Sequence, residues 1–205
     1  MKKKVLAAAI AFAALFGANV NAETGNVQFG VKGGVNVSNF TGDLDGIKSK
    51  AGFQLGLTLD YELAPSVYLI SGLEYIVKGS KEKGSGDLMS MNLGYIQLPV
   101  HIGYKVPVSE ATKLLLHAGP YVAYAAKGTL KEGGASVDWF DKKYNLETTF
   151  FVPKRFDAGL GLGVGLEFGK VSVGLDVDYG LVNIYKNSGA SIKNLSSGLS
   201  VGYKF

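Results

Sequence analysis

The stretch Arg155-Phe156-Asp157-Ala158-Gly159-Leu160-Gly161-Leu162-Gly163-Val164-Gly165-Leu166-Glu167-Phe168 sorts into two sets by parity. The even positions are Phe156, Ala158, Leu160, Leu162, Val164, Leu166 and Phe168, all apolar. The odd positions are four glycines flanked by Arg155, Asp157 and Glu167. Only an extended chain sends successive side chains to opposite faces; a helix would mix the two sets on every side. The stretch therefore reads as a strand with one wholly apolar face and one glycine-rich, charged face.

Working outward, the same alternation recurs in seven further segments. They are Val27 to Ser38, Phe53 to Glu62, Val67 to Lys78, Met91 to Lys105, Leu114 to Lys127, Val171 to Leu181 and Asn194 to Phe205. Their lengths suit tilted membrane strands, which need about 9–11 residues. The connections alternate in length. Short turns occur at Ala64-Pro65-Ser66, from Pro107 to Thr112 and at Gly169-Lys170. Longer polar loops run over about Asn39 to Lys50, Gly79 to Leu88, Gly128 to Pro153 and Lys186 to Ile192. Short connections on one rim and long ones on the other are the outer-membrane pattern. The expected fold is an all-β, eight-stranded, antiparallel up-and-down transmembrane β-barrel. Short periplasmic turns and longer extracellular loops join its strands, and the even count leaves both termini on the periplasmic side.

Parity alone does not say which face meets lipid. The polar parity carries glycine, serine and charges of both signs, and a narrow eight-stranded interior holds long side chains only where glycines leave space. Aromatics also cap the apolar parity at the strand ends. Phe29, Tyr61, Tyr104, Phe168, Tyr203 and Phe205 mark one rim, and Phe53, Tyr75, Tyr124, Phe156 and Tyr179 the other. Such girdles belong at the membrane interfaces. The apolar parity is thus expected outward.

Ahead of the first strand, Lys2, Lys3 and Lys4 precede a short apolar run from Val5 to Phe16, and Val20-Asn21-Ala22 offers a small-residue cleavage site. Residues 1–22 are expected to be a cleaved signal peptide, leaving 23–205 as the barrel. The apolar run falls short of the roughly 20 residues of a spanning helix. Without those three lysines, 18 basic residues face 17 acidic ones. The near-neutral mature chain has no basic run, which argues against a nucleic-acid partner. There is no cysteine, so disulfides and thiolate metal sites are excluded.

The inward parity collects Lys32, Lys78, Lys105, Lys127, Arg155 and Lys204 against Asp60, Glu62, Glu74, Asp157, Glu167, Asp176 and Asp178. Near-balance suggests a mutually neutralised network that closes the lumen, because isolated buried charges are costly. A single-sign lumen would instead suggest an ion-selective pore. His101 and His117 are the only histidines. They lie on the inward parity without metal spacing and read as members of that network rather than as acid–base groups. Neither a catalytic residue nor a cofactor or metal site is expected, and Gly159 to Gly165 lacks the spacing and following helix of a nucleotide loop. The longest loop holds Trp139, Phe140 and Tyr144, candidate contacts for a protein partner at the extracellular end, with packing on neighbouring loops as the plainer alternative.

The ending Val201-Gly202-Tyr203-Lys204-Phe205 is similar to the C-terminal signature of bacterial outer-membrane barrels. The resemblance implies that Tyr203 and Phe205 act as an assembly signal read by the barrel-assembly machinery. Gly30 to Phe40, Leu93-Gly94-Tyr95-Ile96-Gln97-Leu98-Pro99-Val100 and Ala118-Gly119-Pro120-Tyr121 resemble the porin-like "outer membrane protein beta-barrel domain" family of Bacteroidota, which includes PorT-like proteins. The resemblance covers nearly all of Val27 to Phe205. It implies an integral protein of the cell outer membrane, in contact with its lipid and lipopolysaccharide. The role implied is non-enzymatic, through external loops or as a structural or export-associated envelope component; a small passive channel is the alternative.

Overall fold

The computed structural model describes residues 27–42, 47–83, 88–132, 135–140, 154–184 and 191–205. The expected signal segment and Tyr144 lie outside the described residues. Nine strands are present among them: β1 (Val27–Gly42), β2 (Ile47–Ala64), β3 (Val67–Lys83), β4 (Leu88–Pro107), β5 (Thr112–Glu132), β6 (Ala135–Asp138), β7 (Phe156–Phe168), β8 (Val171–Gly180) and β9 (Ile192–Lys204). Each of the eight long strands pairs antiparallel with its neighbours, β1 with β9 and β4 with β5 completing a closed ring. Closure leaves no unpaired edge, the condition for crossing a bilayer with strands. The short β6 is a hairpin extension on the far end of β5, from Thr129↔Asp138 to Glu132↔Ala135.

The short turns stand where expected. Phe168 pairs with Val171 across the two-residue turn Gly169-Lys170. Gly169 has φ +58°, the left-handed value such a tight hairpin asks of its first position. The Pro65-Ser66 turn puts a non-glycine at φ 68°, Ser66.

The parities separate as the sequence implies. On β7, Leu162 is 61% exposed on the outer wall, whereas Asp157 is fully buried inside. The outward apolar residues of all eight ring strands form the belt, and Tyr75, Ile96, Tyr124 and Phe156 lie opposite one another across β3, β4, β5 and β7 as one arc of the upper girdle.

Two departures matter for the site. The strands of the β3–β4–β5 sheet are 17, 20 and 21 residues long, well beyond what the bilayer needs, so they continue past the girdle into water. There the interior turns largely apolar, with a few buried polar side chains such as Ser38 and Ser80 among the apolar ones. Phe40, Ile76, Leu93, Tyr95, Trp139, Ile184 and their neighbours form a buried apolar cluster inside the long-loop end. Above the membrane the outer wall faces water, so the ordinary rule of an apolar inside returns. Second, the β4–β5 register slips between Gly94↔Lys127 and Tyr95↔Ala125. The extra residue, Ala126, makes a β-bulge that flips the parity of everything beyond it.

Candidate functional site: the lumen and the long-loop end

The lumen is built in layers from inward side chains. At the short-turn end, Lys105 Nζ lies 2.6 Å from Asp60 and 3.2 Å from Glu167. Lys204, from β9, pairs with the same two carboxylates. Two cations and two anions from β2, β4, β7 and β9 thus neutralise one another in a compact square. Lys105 also sits 4.1 Å from the centroid of the Tyr68 ring, and the Tyr68 hydroxyl hydrogen-bonds Glu62.

The middle layer holds Lys32 and Glu74 at 2.7 Å, together with the histidines. His101 Nδ1 and His117 Nδ1 are 2.9 Å apart with the rings stacked. One must donate and the other accept, so a single hydrogen lies between them. His117 Nε2 then reaches Asp176 at 3.3 Å. The glycine face of β7 makes this pair possible. A Cβ on Gly161 would come within 3 Å of the His101 ring and Asp178, and one on Gly163 would overlap His117 and Asp176.

The upper layer centres on Lys78, wholly buried. Its ammonium donates to Gln97 Oε1 at 2.8 Å, lies 3.5 Å from Asp178 and sits 4.4 Å from the centroid of Tyr121. Gln97 Nε2 donates to the same Asp178 oxygen at 2.8 Å. Asp157 Oδ2 accepts from Tyr121 at 3.1 Å and from Asn194 at 2.9 Å. Asn194 also donates to the Tyr95 hydroxyl at 3.3 Å, which joins this layer to the apolar cluster.

Eleven of the thirteen charged residues that parity points into the lumen are found there: Lys32, Asp60, Glu62, Glu74, Lys78, Lys105, Asp157, Glu167, Asp176, Asp178 and Lys204. Lys127 and Arg155 are corrections. The bulge at Ala126 turns Lys127 to the outer wall, where it is exposed. Arg155 stands at the mouth of β7, donates to the Ala125 carbonyl at 3.0 Å and stacks 3.8 Å over the Phe140 ring; Asp157 takes its hydrogen bonds elsewhere. Trp139 and Phe140 are likewise corrected as loop contacts. Trp139 is only 3% exposed inside the apolar cluster, and Phe140 is half-buried beneath Arg155. Aromatics of a short hairpin are drawn inward because the open barrel end offers them a dry surface. Gln97, Tyr121 and Asn194 were not singled out from the sequence, although their inward parity and polar tips are the signal that marks them.

A closed ring of eight antiparallel strands, apolar outside and charge-paired inside, agrees with the comparison to known proteins. Residues 17–186 match the family described as outer membrane protein beta-barrel domain. The chain belongs to that family. Among solved structures, the outer membrane protein OprG from Pseudomonas aeruginosa is 15% identical, with 89% of this chain and 97% of that chain covered at a TM-score of 0.50. Neisserial surface protein A is also 15% identical, with 88% and 99% covered at a TM-score of 0.50. Ail of Yersinia pestis is 19% identical, with 89% and 99% covered at a TM-score of 0.45. No functionally curated protein matches the sequence. At these identities OprG and Neisserial surface protein A speak for the fold alone, an outer-membrane barrel.

Within this outer-membrane barrel the free space is small. One cavity of about 90 Å³ lies toward the short-turn end, lined by Lys32, Asp60, His117, Asp176 and Lys204 among others. A second of about 50 Å³ lies beside His101, Gln97 and Asp178. Among the described residues no group of three His, Asp or Glu side chains is placed to hold a metal ion.

Proposed function

We propose that this protein is a non-enzymatic integral barrel of the outer membrane whose lumen is closed, and which acts from its outer end as a structural or export-associated envelope component. Its short turns and both termini face the periplasm after removal of residues 1–22, and its long loops face outward, where they meet lipopolysaccharide and a protein partner. The barrel-assembly machinery inserts it by way of Tyr203 and Phe205. The observation that carries the closed lumen is the buried Lys78, held by Gln97, Asp178 and the Tyr121 face on a strand where it stands opposite Leu93 of the apolar cluster. A hydrated ion has no path through such a layer without breaking charge pairs that cost several kcal/mol to separate in a buried setting.

The non-enzymatic reading rests on the histidines. His117–Asp176 has the form of a base and its orienting acid, but the other side of the pair is blocked by His101 at 2.9 Å. The adjoining cavities, of about 90 and 50 Å³, hold a few water molecules rather than a lipid or peptide substrate. The passive-channel alternative draws on the two cavities of the lumen. Planar-bilayer recording decides between them: the protein is expected to insert without stable conductance steps, whereas reproducible open levels would establish the channel.

A further inference from the structure

The outer wall changes character just above the upper girdle. Cross-strand pairing sets Lys48 opposite Lys81, Lys81 opposite Ser90, Ser90 opposite Lys131 and Lys131 opposite Ser136. Directly opposed residues share a face of the sheet, and Lys81 follows Tyr75 and Val77 on the outward parity of β3. Lys48, Lys81 and Lys131 therefore stand in one row across β2 to β5, with serines between and beyond them. The bulge at Ala126 adds Lys127 to the same wall. Beneath this row lies an open groove of about 640 Å³, lined by Phe53, Tyr75 and Val77 from the lipid-facing belt and by Asn92, Lys127 and Lys131 from the polar wall.

The row is electrostatically unfinished. Like charges directly opposite one another in a sheet are destabilising, and Lys48 faces Lys81. None of Lys48, Lys50, Lys81, Lys127 and Lys131 has an ion-pair partner among the described residues. Burial first, then the ammoniums of Lys81 and Lys131, hold Lys50 below its ordinary value; it lies beyond the girdle, outside the membrane span. Asp138 also lines the groove, but its Oδ1 accepts the Phe140 backbone N–H at 2.9 Å and so serves the β6 hairpin.

We infer that this groove binds a phosphorylated glycolipid of the outer leaflet, its phosphates on the lysine row, its sugar hydroxyls on Ser90, Asn92, Thr129 and Ser136, and an acyl chain on Phe53, Tyr75 and Val77. The inference deepens the lipopolysaccharide contact of the proposed function and rests on its orientation. An amphiphile is required because the cationic row is continuous with the apolar belt. A single phosphate does not suffice. Lys48 and Lys131 are three strand spacings apart, roughly 14 Å at ~4.8 Å each, which calls for a head group carrying more than one anionic group on a rigid polar scaffold.

Binding to the folded barrel in zwitterionic micelles, followed by native mass spectrometry, tests this with three probes: diphosphorylated lipid A, its dephosphorylated form, and phosphatidylglycerol. The diphosphorylated lipid is expected to bind best and to weaken with salt. The triple variant Lys81→Gln, Lys127→Gln, Lys131→Gln should lose affinity on the order of a hundredfold, at about 1 kcal/mol per lysine. Lys113→Gln with Lys170→Gln, at the opposite rim, should leave it unchanged. Equal binding of phosphatidylglycerol, or an undiminished triple variant that still shows the native heat-modifiable gel shift, overturns the inference. Labelling whole cells that carry Lys193→Cys, at the long-loop end of β9 and away from the row, with a membrane-impermeant maleimide reads the orientation separately. Labelling without lipid preference overturns the lipid site alone, and absence of labelling overturns the orientation and the site together.

Discussion

Replacing Lys78 by Met keeps the length of the side chain and removes its charge. In the folded barrel the ammonium is fully buried, 2.8 Å from Gln97 Oε1 and 3.5 Å from Asp178, with the Tyr121 ring 4.4 Å away. Lys78→Met leaves Asp178 with Gln97 as its remaining hydrogen-bond partner and removes a cation that acts on Asp157. Breaking a buried pair from one side costs about 3–5 kcal/mol, because the other charge stays behind in a poor solvent. With a urea slope of about 2 kcal/mol per M, the midpoint should fall by roughly 2 M. The midpoint is read on the barrel folded in lipid vesicles, from the gel band that shifts on boiling. Lys78→Met combined with Asp178→Leu should recover much of the loss, since an apolar pair of similar volume replaces an ionic one at little cost. Lys113→Met at the exposed rim should move the midpoint by less than about 0.5 kcal/mol equivalent. If Lys78→Met costs no more than Lys113→Met, water screens that layer, and both the sealed interior and the closed-lumen function are refuted.

The remaining expectations concern other walls of the barrel. Gly163→Leu should drive its side chain into His117 and Asp176 and lower stability by at least the 1–3 kcal/mol typical of overpacking, whereas Leu162→Ala on the lipid face should be milder; the reverse order in urea midpoints would mean the faces are misassigned. Arg155→Ala should cost about 1–2 kcal/mol, through the lost stacking on Phe140 and the bond to the Ala125 carbonyl, and Arg155→Lys should not restore it, because an ammonium cannot stack as a planar guanidinium does; full rescue by lysine in the same unfolding assay would point instead to an ion pair. Deleting Phe205 removes a single backbone bond to β1, from its N–H to the Phe29 carbonyl, and leaves the paired residues of β9 in place, yet should cause periplasmic accumulation of the chain in cells. Normal outer-membrane levels on fractionation would count against the terminal assembly signal.

Much of this structure was legible in the residues from Phe156 to Phe168 and their seven counterparts. Strand alternation is a property of two bonds at a time, so the two faces, the short turns and the eightfold count follow from local order along the chain. The lipid-facing direction was also readable, because the aromatic girdles and the glycines opposite them constrain which side has room. The candidate site was legible only as a set. Parity marked Lys105, Asp60, Glu167 and Lys204 as inward, but their meeting as a square depends on how far each strand is sheared against the next around the ring.

Alternation, read together with the aromatic girdles and the glycines opposite them, determined that the chain forms a barrel, which residues face lipid, and which residues share the interior. Tertiary structure decided the rest. The single extra residue at Ala126 reversed the parity of Lys127 and moved it from the lumen to the lipid-interface groove. The length of β3, β4 and β5 beyond the bilayer changed the solvent outside the wall from lipid to water, so the same inward parity that holds Asp60, Lys105 and Glu167 near the short turns holds Leu93 and Tyr95 near the long loops, with Trp139 of the hairpin packed among them. Parity is local and survives any register, whereas contacts across the ring depend on shear, bulges and the depth of each residue in the membrane. None of these is written in the alternation of polar and apolar residues.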